Sequence, residues 1–121
     1  MAQKRKKKHR RKITKITKMT TEKGGTFVTK SSYETRYAEI LESDPKVIRF
    51  TYEPFKIPYT FRGREINYIP DFLVEFVCGK QQLVEIKPKR FVGSPRNRAK
   101  FKAGKNHEID FIVITESELG I

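Results

Sequence analysis

Ile69-Pro70-Asp71-Phe72-Leu73-Val74, followed after a hydrophilic interruption by Leu83-Val84-Glu85-Ile86-Lys87-Pro88, sets an acid at the mouth of one apolar strand. The second apolar strand carries an acid and a lysine two residues apart. In a strand, residues i and i+2 point the same way, so Glu85 and Lys87 share one face while Val84 and Ile86 bury the other. Burial penalises charge, and a carboxylate beside an ammonium in mid-strand makes sense around a divalent metal and a phosphate. On the first strand Phe72, Val74 and Phe76 take one face; Asp71, Leu73, Glu75 and Val77 take the other. A two-residue loop at Gly79-Lys80 pairs Asp71 with Pro88 and sets it on the face opposite Glu85. A three-residue loop, or one bulge, pairs Asp71 with Lys87 and Leu73 with Glu85, and the three charged groups converge. A surface hairpin with unrelated charges is the plainer reading. The buried character of Leu83, Val84 and Ile86 weighs against it.

With 121 residues, the chain is expected to form one domain with a modest core. Lysine and arginine number 27 against 14 acids, and residues 1–18 hold ten of those bases and no acid. The run Lys4-Arg5-Lys6-Lys7-Lys8-His9-Arg10-Arg11-Lys12 repels itself and buries no apolar area, so it reads as a disordered tail suited to a polyanion. A nuclear-targeting signal, a ribosomal tail or plain solubility are its alternatives. No apolar stretch is long enough for a membrane span, and no secretion signal is expected. The single Cys78 leaves no internal disulfide or thiolate zinc site, and with only His9 and His107 a histidine-rich metal site is excluded. A cytoplasmic setting is expected.

Residues 19–30, punctuated by Gly24-Gly25, read as a linker, leaving 31–121 as the folded domain. Ser31 opens a helix running to about Ser43, with Tyr33, Tyr37, Ile40 and Leu41 as its apolar stripe and Asp44-Pro45 as its stop. Strands are expected at Val47–Tyr52 and Phe55–Arg62. Glu65–Ile69 leads into the Asp71 strand, and Leu83–Lys87 follows. A helix from Ser94-Pro95 to about Lys105 comes next. It is followed by an interior strand at Asp110–Ile114 and a capped turn from Thr115. This order predicts an α/β domain with a mixed sheet flanked by helices.

Phosphodiester hydrolysis needs carboxylates to hold Mg²⁺ or Mn²⁺, hard cations that prefer oxygen ligands. Asp71 and Glu85 are the pair, with the carbonyl of Ile86 as a further ligand and Lys87 to stabilise hydroxide or the pentavalent phosphorus. Glu34 has two readings. It completes a capping box with Ser31, or it supplies a third acid from the helix, as its place beside the Tyr33/Tyr37 stripe favours. Glu53 is a weaker alternative, and Glu75 reads as a partly exposed strand residue. Beyond the site lies a second basic set, Lys89, Arg90, Arg96, Arg98, Lys100, Lys102 and Lys105, in which Arg98, Lys102 and Lys105 recur at helical spacing. With Lys89 and the tail they suit contacts to a nucleic-acid backbone. Tyr59, Phe61 and Tyr68 read as core or strand-face aromatics.

Pro70-Asp71 followed by Glu85-Ile86-Lys87 resembles the signature of the PD-(D/E)XK nuclease superfamily. Four ordered blocks resemble more closely the N-terminal domain of the TnsA transposon endonuclease and the nuclease-like head completion proteins of tailed phages. These are Ser31-x-x-Glu34 with Asp44-Pro45, Tyr68 to Phe72, Val84 to Pro88, and Phe111 to Gly120. The resemblance spans roughly residues 31–121 and implies a restriction-endonuclease-like mixed central sheet flanked by helices. It implies Glu34, Asp71, Glu85 and Lys87 as active-site residues and Mg²⁺-dependent cleavage of DNA. The phage relatives imply a part in finishing packaged heads, in the host cytoplasm or on the virion. The small size of the domain puts target-sequence specificity in doubt and points to a second copy, or a phage structural or transposition partner, for double-strand cleavage. The rival expectation is a non-catalytic nucleic-acid-binding or virion assembly module that keeps the fold.

Overall fold

The computed structural model describes residues 14–121. Two strands, β1 (Thr17–Thr21) and β2 (Gly25–Thr29), form an antiparallel hairpin. The stretch 19–30, expected to be a linker, is therefore mostly strand, and the hairpin begins inside the segment expected to be tail. Its threonines favour extended backbone, while Met19 and Phe27 turn inward onto the core. Phe27 stacks on Tyr52 at 5.3 Å and meets Phe50 and Phe72 edge-on. The turn is tied to the next element, where Glu42 accepts from the N–H groups of Glu22 and Lys23.

Helix α1 (Ser32–Ser43) starts where the Ser31 hydroxyl accepts from the Glu34 N–H at 3.1 Å. Tyr33, Tyr37, Ala38 and Leu41 are buried along one side; of the expected stripe, Ile40 is only partly buried. Strand β3 (Val47–Tyr52) follows, then a two-stranded ribbon of β4 (Ile57–Phe61) and β5 (Arg64–Tyr68). Arg62 and Gly63, both at positive φ, make its tight turn. The sequence reading ran β5 directly into the Asp71 strand. Pro70 interrupts it instead, because proline cannot donate to a ladder, and β6 (Phe72–Phe76) starts in a different sheet.

The central sheet runs β3-β6-β7-β8, with β7 at Gln81–Ile86 and β8 at Asp110–Ile114. The first three strands are antiparallel, while β7 and β8 are parallel. A parallel neighbour requires a crossover, which helix α2 (Pro95–Lys105) provides, capped by Ser94. The short helix α3 (Glu116–Leu119) closes the chain on the Thr115/Glu118 capping box. This is a mixed α/β sheet flanked by helices, as in restriction-endonuclease-like folds. Both faces of the sheet are covered. Phe72, Val74, Val84 and Ile86 pack beneath α1 and the β1–β2 hairpin. On the reverse face Leu83 packs with Ile57, Tyr59 and Tyr68, against Ala99 and Ala103 of α2. No described helix is long and apolar enough to cross a membrane.

Candidate active site

The β6–β7 turn decides whether the charged groups meet. The Phe76 N–H donates to the Lys80 carbonyl at 2.9 Å, leaving Val77–Gly79 as a three-residue loop. Gly79 at φ 95° takes the reversal that other residues resist. The ladder pairs Phe72 with Val84 and Leu73 with Leu83. The expected pairing of Leu73 with Glu85 is thus shifted by two residues along the strand. A shift of two preserves the faces, and continuing the ladder sets Asp71 opposite Glu85.

Two backbone links hold Asp71. Its carbonyl accepts from the Glu53 N–H at 2.8 Å, at the positive-φ end of β3. Its Oδ2 accepts from the Ile86 N–H at 2.7 Å. Ile86 was expected to contribute its carbonyl; what the structure shows is its N–H orienting Asp71. Glu85 is 4% exposed. Its Oε1 accepts from the Tyr68 hydroxyl at 2.7 Å, and its Oε2 lies 3.7 Å from Lys87 Nζ.

Burial pushes the Asp71 carboxyl well above its usual range, and the charges of Glu85 and Glu34 push it further; the Ile86 N–H and Lys87 act against them. Glu85 is raised too, by burial first, while Tyr68, Lys87 and Lys100 pull it back. These two acids titrate as a pair. The Tyr68 hydroxyl is strongly raised by burial and by Glu85, so it stays a protonated donor.

Glu34 forms only half of the expected capping box. Its N–H is capped by Ser31, but its carboxylate turns to the Lys30 N–H at 2.9 Å and the Tyr52 hydroxyl at 2.6 Å. From there its charge acts on both Asp71 and Glu85. It lines a cleft of about 190 Å³ with Tyr33, Ile86, Lys87 and Phe91. A larger cavity of about 600 Å³ lies between β4 and α2, and its lining includes none of these acids. Glu53 is paired to Lys30 and Glu75 to Arg49, each at 2.9 Å.

Among the described residues no three acids, histidines or cysteines stand as a ready-made metal cage. The donor set nonetheless fits a hard divalent cation. The Glu85 charge favours the protonated form of Asp71, and among the described residues Lys87 is the one ammonium in ion-pair reach of Glu85. Asp71 Oδ1 has no protein partner among the described residues, and no described buried side-chain polar atom goes unsatisfied, so Oδ1 is open to an incoming ligand.

Lys89, Arg98, Lys102 and Lys105 are exposed. Lys4, Arg5, Lys6, Lys7, Lys8, Arg10, Arg11 and Lys12 lie outside the described residues. Two residues expected elsewhere, Tyr68 in the core and Lys100 in the second basic set, act on Glu85. Tyr68 is core, as expected, yet its hydroxyl is the partner of Glu85; a buried tyrosine needs such a partner. Lys100 acts on Glu85 from α2, and no local pattern marks it.

A search of curated proteins finds no match to this chain. The model of the TnsA-like endonuclease N-terminal family matches residues 44–116. That span includes Asp71, Glu85, Lys87 and Lys100, and leaves Glu34 outside. Nucleases of the PD-(D/E)XK kind generally use divalent metals, and the matched span carries the strand pair that brings Asp71 and Glu85 together. The chain belongs to the TnsA-like endonuclease N-terminal family, a PD-(D/E)XK nuclease-like family.

Proposed function

We propose that this protein is a metal-dependent DNA endonuclease with little sequence preference. The observation that carries the reading is the convergence of Asp71, Glu85 and Lys87 at one end of the β6–β7 pair, beside an opening lined by Glu34. Asp71 and Glu85 would hold Mg²⁺ or Mn²⁺, with Glu34 as the third acid and the Ile86 carbonyl as a further ligand. An ion held there would supply acidification of water and neutralisation of charge on the phosphate. Lys87 holds its ammonium 3.7 Å from Glu85, placed to stabilise hydroxide and the charge that builds on phosphorus. Tyr68 keeps Glu85 in one orientation by donating to Oε1. The Ile86 N–H does the same for Asp71.

The resemblance to phage head completion proteins and to a transposon endonuclease suggests work in DNA processing with a second copy or a larger partner. The decisive assay is nicking of supercoiled and branched DNA in Mg²⁺ or Mn²⁺. Wild type should cleave, and Asp71→Ala and Lys87→Ala should each lose at least roughly 10²-fold while remaining folded. Absence of cleavage with every divalent ion and substrate at high protein concentration would sink the reading. The non-catalytic alternative draws on the lack of a preassembled three-acid cage among the described residues. It predicts that Mn²⁺ soaks leave Asp71 and Glu85 without a shared ion.

A further inference from the structure

Helix α2 carries its cations on two sides. Arg98, Lys102 and Lys105 are exposed and lie about half a turn around the helix from Arg96 and Lys100, which are one turn apart on a shared face. Lys100 is half-buried, and its ammonium lies 5.8 Å from the centre of the Tyr68 ring, the tyrosine whose hydroxyl holds Glu85. It forms no ion pair among the described residues. Burial holds it below the usual lysine range, Lys87 depresses it further and Arg96 adds to that, against the opposing pull of Glu85. Further along, the Arg96 guanidinium sits 5.2 Å from the Phe61 ring, and Arg62 at the β4–β5 turn sits 4.9 Å from the same ring. The aromatic ring holds two guanidiniums near each other.

A line of like charges, one of them half-buried, costs the free protein stability. It makes sense where a polyanion is to lie. We propose that Arg62, Arg96 and Lys100, continuing to Lys87, form a cationic row that holds the backbone phosphates of the DNA strand beside the catalytic carboxylates. The row takes its polymer from the endonuclease reading above, but its test is one of binding alone. Backbone contacts of this kind position a strand without reading its bases.

The full chain is titrated with a labelled DNA duplex in EDTA, from about 50 to 200 mM salt. Arg96→Ala and Lys100→Gln should each weaken binding several-fold and reduce the log–log salt slope by about one, the double variant by about two. Lys80→Ala, at the opposite end of β7, serves as the reference. Lys100→Gln should also melt no lower than wild type, because it relieves repulsion; a merely structural lysine would lower the melting temperature instead. The row is overturned if wild type does not bind, if Lys100→Gln keeps the wild-type slope, or if Arg98→Ala/Lys102→Ala carries the whole slope. Cleavage assayed separately keeps the two ideas apart. A lost slope without wild-type cleavage supports the row and rejects the endonuclease, whereas cleavage with an unchanged slope does the reverse.

Discussion

Asp71 bears the largest electrostatic load in the site, because burial and two neighbouring acids all oppose its ionisation. A carboxyl raised in the folded state binds its proton more tightly there than in the unfolded chain. Its stabilising contribution is complete below the unfolded carboxylate pKa and is lost as pH rises through the raised folded value. The metal-free protein should therefore melt at progressively lower temperature across that interval. Asp71→Asn keeps an oxygen for the Ile86 N–H and removes the charge. In EDTA it should flatten this pH dependence and melt higher than wild type at neutral pH, while the cleavage proposed for the site should be lost. Thermal denaturation across a pH series checks this. Identical slopes for the two proteins would show that Asp71 is not the strained acid. The shared face of Glu85 and Lys87 was legible because strand alternation is a local property, whereas their meeting with Asp71 hung on the loop between the strands. Tyr68 and Lys100 were not legible as partners of Glu85, since they reach it from a separate ribbon and from a helix that only the tertiary fold brings close.

Among the elements, α2 depends on one small residue. A Cβ on Gly104 would come within 2.5 Å of two atoms of the Phe111 ring on β8, so the helix lies directly on that strand. Alanine is the better helix former by about 1 kcal/mol. Gly104→Ala should nevertheless destabilise by about 1–3 kcal/mol through overpacking and lower cleavage by displacing Lys100. Urea titration and the plasmid assay test both effects, and a stabilised variant would contradict the packing. The limits of α1 and α2 could be read in advance because Ser31, Ser94, Pro45 and Pro95 act within one turn of chain. The β1–β2 hairpin could not be read so easily. Its strands are rich in threonine, and Phe27 finds its aromatic partners only in β3 and β6. The β6–β7 register also escaped a unique reading, since Val77-Cys78-Gly79-Lys80 lacks a strong turn dipeptide and several loop lengths were compatible with it.

For the whole molecule, positive charge is spread unevenly along the sequence. Ten of the 27 basic residues fall within the first 18 positions. A cut at residue 18, the boundary composition suggested, would run through β1, which starts at Thr17. Deleting residues 1–13 spares the hairpin and removes the run from Lys4 to Lys12. That shortened protein should melt like the full chain, retain cleavage and bind DNA more weakly. Its salt slope should shrink by about 0.9 for each tail charge that met a phosphate. An unchanged slope would count against the tail as a DNA arm, and altered melting would show that it docks on the fold.

The three-residue loop Val77–Gly79 also governs how the family signature can drift. It joins two strands whose other edges are already committed, β6 to β3 and β7 to β8. Removing one loop residue leaves the same pairs within reach of a two-residue turn, so the loop can change length while Asp71, Glu85 and Lys87 keep their common face. Removing one residue inside β7, between the turn and Glu85, would instead turn Glu85 and Lys87 to the other face unless a bulge absorbed it, with every side chain of the site intact. Among functional descendants of this sequence, changes in the interval from Asp71 to Glu85 should therefore gather in the loop and spare the strands, a rule written in position rather than in residue identity.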